Sequence, residues 1–136
     1  MKDQGILFLG WCRKDQFSYV RGKDNIVQVF DTLSETVVKQ RQYDDLKHPI
    51  KGLHSIAGEN YQHIMVDKEA NCLVDDLKKK SDPTKFKAKG DHVHKTYFSQ
   101  GELAVCSKGT TLQIWDVNKA AMVWQAKNVS NDELSL

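Results

Sequence analysis

The sequence has little of what defines several protein classes. It contains two prolines and three cysteines, and its longest apolar run near the start, residues 6–9, is far too short for a signal-peptide core or a membrane span. Cys12, Cys72 and Cys106 are odd in number and lie on or beside predicted strands. They indicate buried, reduced thiols of an intracellular protein rather than a disulfide framework.

Neither sign of charge dominates, and motifs for catalysis are missing. Lys plus Arg is 20 and Asp plus Glu is 18, so the net charge of +2 does not by itself indicate a nucleic-acid binder. The hydrophobic content of 40% is typical of a folded, soluble chain. No G-x-S-x-G, glycine-rich phosphate loop or H-E-x-x-H occurs. We therefore expect no enzymatic activity, no cofactor, no small-molecule substrate and no membrane attachment.

One short pattern occurs three times at a nearly constant interval. Apolar residues stand at its first, third and fourth places, weakly so at the first place of the middle copy, and Asp stands at the fifth. The copies are residues 27–31, 71–75 and 112–116. Their aspartates are 44 and 41 residues apart, against about 40 to 45 residues for one four-stranded propeller blade. The structural repeat markers are therefore Asp31, Asp75, Trp115 and Asp116.

The residue types of the third copy fit a strand at the edge of a blade. Alternation places Leu112 and Ile114 on the face that packs against the neighbouring blade, while Gln113 faces a polar environment. Trp115 supplies a large apolar area, and Phe30 and Val74 are its smaller counterparts. Each Asp is expected to accept hydrogen bonds from backbone N–H groups of the following turn.

The pattern predicts an all-β fold, a partial WD40 β-propeller of about three four-stranded antiparallel blades. The blades are residues 1–45, residues 46–90, which are irregular with a lysine-rich edge, and residues 91–129, and residues 130–136 lead into a missing next blade. A propeller normally closes with four or more blades, so three leave two apolar faces open. We expect the chain to be a piece of a longer protein, or else to assemble with other copies or partners.

Turn signals divide each predicted blade into four strands. Residues 22–25 form a tight hairpin in which Gly and Asn can adopt positive φ. A short helix over residues 117–125 competes with a turn and a strand, and the repeat phase favours the latter. The predicted strands are residues 5–12, 17–20, 26–30, 36–42, 52–56, 61–66, 71–75, 84–88, 92–98, 103–107, 111–116 and 122–127.

A run of lysines is the most distinctive polar feature. Alternation along residues 84–88 puts lysines on one face of an edge strand, with Phe86 and Ala88 on the other. The lysines could contact RNA phosphates or serve nuclear import, or they could form a solvated edge that prevents sheet-to-sheet aggregation. The candidate RNA-contacting residues are Lys78, Lys79, Lys80, Lys85, Lys87 and Lys89.

The histidines give no firm site. His92 and His94 form an H-x-H pair on one side of a predicted strand, which is half of a possible metal site. No third ligand is evident nearby, so we expect no metal. His48, His54 and His63 are scattered and are expected to be surface residues or satisfied blade contacts.

The end of the chain resembles a known family. Residues 112–117, followed by residues 125–136, resemble WD-repeat ribosome biogenesis factors of the Nop-seven-associated type, called WD repeat-containing protein seventy-four in animals. That family has an Ile-Trp-Asp strand and then Ala-Lys-Asn-Val-x-Asn-Asp-x-Leu-x-Leu, which this chain matches. It departs at Ser130, Glu133 and Ser135, where the family often has a basic residue, Trp and an acid. The specific match covers residues 112–136 only.

The resemblance implies a function as well as a fold. It implies a seven-bladed propeller in the nucleus and nucleolus that acts as a scaffold in ribosome biogenesis, assembling large (60S) ribosomal subunit precursors and supporting rRNA processing. The implied partners are pre-60S particle proteins, pre-rRNA and a releasing AAA-type ATPase. The alternative is a generic WD-repeat adaptor for protein–protein interaction without RNA contact.

Overall fold

The computed structural model describes residues 5–22, 24–56, 61–80, 82–89, 92–108 and 111–127, and these form three four-stranded antiparallel sheets. Strands of each sheet follow one another along the chain. Sheet A comprises β1 (Ile6–Arg13), β2 (Gln16–Arg21), β3 (Ile26–Asp31) and β4 (Thr36–Gln42). Sheet B comprises β5 (Ile50–Ser55), β6 (Gln62–Asp67), β7 (Asn71–Asp76) and β8 (Thr84–Lys87). Sheet C comprises β9 (Val93–Ser99), β10 (Glu102–Ser107), β11 (Thr111–Asp116) and β12 (Ala121–Ala126).

The strand predictions are confirmed, and the helical alternative for residues 117–125 is wrong. Every predicted strand is present with its ends shifted by two residues or fewer, while residues 117–120 form a turn that leads into β12. The alternation of side chains and the turn residues set these ends locally, which is why the sequence could reveal them. Within the described ranges, no helix is long and apolar enough to cross a membrane.

The first hairpin turn also connects two sheets. Gly22 and Asn25 have φ values of 66° and 55°, as predicted for this turn. The amide of Asn25 donates to the His48 carbonyl at 2.9 Å and accepts the Ile50 N–H at 2.9 Å. Because Ile50 begins β5, this buried side chain holds the start of sheet B against sheet A.

The first strands of the three sheets lie next to one another. β5 contacts both β1 and β9. The Ser55 hydroxyl donates to the Trp11 carbonyl at 3.1 Å, and His54 hydrogen-bonds the Thr96 hydroxyl at 2.7 Å. A Cβ added at Gly52 would lie 2.1 Å from the Thr96 Oγ1, so the close approach of β5 to β9 requires glycine there.

Two apolar cores join the sheets in the order A, B, C. The A–B core is made by Val20, Val27, Val29, Tyr43, Leu46, Ile50, Met65, Leu73 and Leu77. The B–C core is made by Ile64, Val66, Ala70, Cys72, Ala88, Val93, Leu103, Val105 and Val117. Burying one such aliphatic side chain contributes about 1.5 to 3 kcal/mol, so the face-to-face packing is the main stabilising term.

The two outermost faces remain apolar and exposed. On β1, the exposed fractions are 63% for Leu9 and 66% for Trp11. In sheet C they are 64% for Tyr97 and 50% for Trp124. Apolar patches of this kind are typical of surfaces that another layer covers.

The structure corrects the phase of the middle repeat. Asp31, Asp76 and Asp116 are the last residues of β3, β7 and β11, so Asp76 rather than Asp75 is the marker aspartate. Each carboxylate accepts a backbone N–H from the following turn, for Asp76 that of Lys78 at 2.9 Å. Asp75 instead occupies the position of Trp115, and Val74 is therefore not the counterpart of that tryptophan.

The predicted polar environment of Gln113 was also wrong. Gln113 and Trp115 pair with Val105 and Leu103, both buried in the B–C core, so they face sheet B. Gln113 is 1% exposed. Ile114 alternates to the other face of sheet C. A buried amide can take this place because its own hydrogen bonds are satisfied there.

Candidate interaction surfaces

A polar contact joins sheet A to sheet B. Arg41 Nη1 donates to Asp75 Oδ2 at 2.5 Å, the Tyr43 hydroxyl donates to the same oxygen at 2.6 Å, and Arg41 Nη2 donates to the Lys79 carbonyl at 2.6 Å. Burial and the bond to Asp75 raise the pKa of Tyr43 well above its ordinary value. The buried carboxylate is thus paired with a guanidinium and a neutral phenol donor.

The contact between sheets B and C is aromatic. Trp115 stacks on Phe86 of β8 with ring centroids 4.8 Å apart. Gln113 Oε1 accepts both Trp115 Nε1, at 3.0 Å, and the backbone N–H of Lys89, at 2.9 Å. Gln113 Nε2 in turn donates to Gln125 at 3.3 Å. One glutamine therefore ties sheet C to the chain segment that leaves sheet B.

All six candidate lysines are exposed on or beside β8, which pairs with β7 at one edge of sheet B. The alternation prediction is confirmed in β8 and the residue after it, where Phe86 and Ala88 pack into the B–C core. Two lysines have partners within the chain: Lys85 pairs with Asp45 at 3.0 Å, and Lys87 Nζ donates to the Glu69 carbonyl at 2.6 Å. Lys78, Lys79 and Lys80 follow β7, and Lys89 lies beyond the end of β8.

Carboxylates interrupt the basic surface. A cleft of about 420 Å³ between the end of β4 and the β7–β8 connection is lined by Lys80 together with Asp44, Asp45 and Asp82. These acids lower the positive potential near Lys80. The lysines farther from the cleft, such as Lys78 and Lys89, are thus better placed to meet an anionic partner.

The histidines and cysteines fall at separate places. His92 precedes β9, so the H-x-H pair does not share a strand, and no group of three metal-ligating side chains occurs among the described residues. His63 is fully buried, its Nε2 has no hydrogen-bond partner among the described residues, and burial lowers its pKa. None of the three cysteines forms a disulfide within the described ranges, and burial raises the pKa of Cys72 to about 12. An inert thiol of this kind suits a packing role.

Sequence reasoning missed the glutamines and the Arg41 contact. Gln28 Nε2 donates to Gln40 at 2.8 Å, and the equivalent pair in sheet C is Gln113 with Gln125. Both pairs are separated by 12 residues, and that repeated spacing is a signal that could have found them. Arg41 carries no comparable local signal, because its partner lies 34 residues away.

Three face-to-face antiparallel sheets with neighbouring first strands define a partial, propeller-like all-β structure. No protein-family model matches the chain, and no curated protein matches it. Solved structures, in contrast, do match the chain. Raptor from Chaetomium thermophilum is similar with a TM-score of 0.78 at 13% identity, over 96% of this chain and 12% of that one.

Two further solved structures share the architecture. The computationally designed Ika8 protein gives a TM-score of 0.72 at 14% identity, over 95% of this chain and 38% of that one. KlHsv2 with loop 6CD replaced by a Gly-Ser linker gives 0.65 at 13% identity, over 91% and 40%. The chain thus spans 12% to 40% of the length of these structures. At these identities the likeness shows the fold alone.

Proposed function

We propose that the protein is a non-enzymatic WD-repeat scaffold that helps to assemble large (60S) ribosomal subunit precursors and supports rRNA processing. The observation that carries this proposal is the exposed lysine-rich edge of sheet B on a propeller-like frame. The resemblance of residues 112–136 to ribosome biogenesis factors supports the same function. A nucleolar location, pre-60S protein partners and release by an AAA-type ATPase belong to the proposal through that resemblance.

The WD40 type and a seven-bladed whole belong to the proposal too. Asp31, Asp76 and Asp116 end the third strand of each sheet and accept N–H groups from the next turn, which is the role expected of the WD-repeat aspartate. Trp115 supplies the tryptophan of the dipeptide in sheet C. The solved structures extend well beyond the part that this chain matches, which fits additional blades.

RNA binding would use lysines whose ammonium groups are not engaged within the chain. Lys85 and Lys87 already have oxygen partners. Within the described ranges, Lys78, Lys79, Lys80 and Lys89 make no side-chain hydrogen bond or ion pair of their own. Each such lysine that neutralises a phosphate of a single strand would add about 0.7 to the salt slope of the affinity.

The test is affinity purification of the full-length protein from cells, with identification of bound RNA and proteins. Replacing Lys78, Lys79 and Lys89 by Gln should reduce pre-rRNA recovery and lower the salt slope by about 2. The matched control replaces three exposed lysines elsewhere, at residues 14, 47 and 51, by Gln and so changes net charge equally. Equal losses in both triple variants would contradict a specific role of the edge.

The second candidate is a protein–protein adaptor without RNA contact. The observation that favours it is the row of carboxylates Asp44, Asp45 and Asp82 beside the lysines, since mixed charge suits a protein partner better than a polyanion. Recovery of signalling or trafficking proteins without rRNA in the same purification would select this function.

A further inference from the structure

In sheets B and C, one position of the third strand faces the preceding sheet, and the same position in sheet A faces outward. Phe30, Asp75 and Trp115 are the fifth residues of β3, β7 and β11. Asp75 contacts sheet A and Trp115 contacts sheet B. Val29, beside Phe30, is buried in the A–B core, so Phe30 points to the opposite side of sheet A. We call the side of sheet A that carries Phe30 its outer face.

The residue that contacts this fifth-place side chain from the preceding sheet also has a constant position, which we call the partner position. It lies on the fourth strand of each sheet, opposite the second residue of the third strand: Arg41 opposite Val27, Phe86 opposite Cys72 and Ala126 opposite Leu112. Arg41 contacts the fifth-place residue of sheet B, and Phe86 contacts that of sheet C. The two internal interfaces therefore use the same geometry with opposite chemistry, an ion pair in one and an aromatic stack in the other.

The outer face of sheet A is aromatic, like the face of sheet C that packs against sheet B. Phe30 stacks on Phe17 with centroids 5.5 Å apart, and Phe17 also meets Trp11 at 5.7 Å and Tyr19 at 6.1 Å. Where sheet B has the carboxylate of Asp75, this face has a phenyl ring. A cation at the partner position would lose its hydration here without gaining a counter-charge.

The hydrogen bonds of Gln28 on this face also resemble those of Gln113 in sheet C. Gln28 Oε1 accepts the Tyr19 hydroxyl at 2.8 Å, just as Gln113 Oε1 accepts Trp115 Nε1. A carbonyl oxygen has two lone pairs, and Gln113 uses its second for the Lys89 N–H, three residues after Phe86. Among the described residues Gln28 Oε1 accepts only the Tyr19 hydroxyl, so its second lone pair can accept a backbone N–H arriving from outside sheet A.

We propose that the outer face of sheet A docks a further four-stranded blade and selects one whose fourth strand sets an aromatic or aliphatic side chain, not a cation, against Phe30. The same blade presents a backbone N–H to Gln28 three residues later. The occupant is thus a blade with the chemistry of the B–C interface, and blades with the chemistry of the A–B interface are rejected. This inference rests on the additional blades of the proposed function and not on RNA binding.

The probe is a second copy of the full chain, whose sheet C offers Ala126 at the partner position. Ala126→Phe and Ala126→Arg are compared by sedimentation velocity over a range of concentrations. We expect Ala126→Phe to self-associate at least about tenfold more tightly, because only the arginine leaves a buried charge unpaired. Adding Phe30→Asp should reverse the order, since it recreates the Arg41–Asp75 pairing.

The control places the same substitutions at Ala121, an exposed residue on the same face at the other end of β12, where they should change association much less than at Ala126. Ala126→Phe and Ala126→Arg leave Phe30 untouched, so their comparison stands even if Phe30→Asp unfolds the chain. Equal association of these two variants, or none at any concentration, would overturn the proposal. Tighter association of the phenylalanine variant that the Ala121 substitutions do not reproduce would support it.

Discussion

Removing the guanidinium from the A–B interface should expose how strongly that contact holds the two sheets. Asp75 is 4% exposed and accepts hydrogen bonds from Arg41 and Tyr43. Arg41→Met leaves the carboxylate buried with the phenol alone. Breaking a buried pair costs about 3 to 5 kcal/mol, and because the Arg41 side chain is 26% exposed, we expect a loss of about 2 to 3 kcal/mol. Urea unfolding monitored by circular dichroism measures this loss.

Two further variants test the reasoning. Tyr43→Phe should cost about 1.5 to 3 kcal/mol, since it removes a hydrogen bond to a charged group. The double variant Arg41→Met/Asp75→Leu should recover most of the loss, because no charge then stays buried. Arg21→Met, at an exposed strand end, is the control. A loss for Arg41→Met no greater than that of this control, or a double variant less stable than Arg41→Met alone, would refute the buried ion pair.

Three other substitutions probe the rest of the fold. Gly52→Ala should cost about 1 to 3 kcal/mol through its clash with Thr96, and Thr96→Ala in the same chain should recover part of it; strictly additive urea-unfolding energies would refute the clash. Burial lowers the pKa of His63. Below about pH 6.5, His63 is therefore protonated in the unfolded chain while it stays neutral in the folded chain. Stability should therefore fall as pH drops from that value toward the folded pKa, by at most about 1.4 kcal/mol per pH unit, and His63→Gln should flatten this slope. Trp115→Ala should cost about 3 kcal/mol, and an unchanged melting curve would exclude a core role.

The strands were predictable because their causes are local. β4 and β11 begin and end at the predicted residues, since turn residues and alternating apolar residues define each of them. The exposure of Lys85 and Lys87 followed from the same alternation. Their partners did not, because Asp45 lies 40 residues before Lys85, in the connection between β4 and β5.

The phase of the middle repeat was not predictable for a related reason. Asp75 and Asp76 are adjacent, and either could end the strand by local criteria. The choice depends on Arg41 and Tyr43, which lie more than 30 residues earlier and give Asp75 its donors. A one-residue shift reverses every side chain of a strand, so this distant contact decides which face of β7 meets sheet A.

The contrast between the two internal interfaces bears on how the sheets keep their order. Sheets of the same plan could in principle pack in the wrong sequence, a known failure of repeat proteins. Arg41 set against Trp115 would lose the carboxylate that pairs with it, and Phe86 set against Asp75 would deprive that carboxylate of its guanidinium. The A–B interface therefore disfavours the phenylalanine used in the B–C interface, and the B–C interface disfavours the arginine used in the A–B interface. Variation at this one position of the repeat, which in the sequence looks like loss of the motif, supplies the specificity that identical repeats would lack.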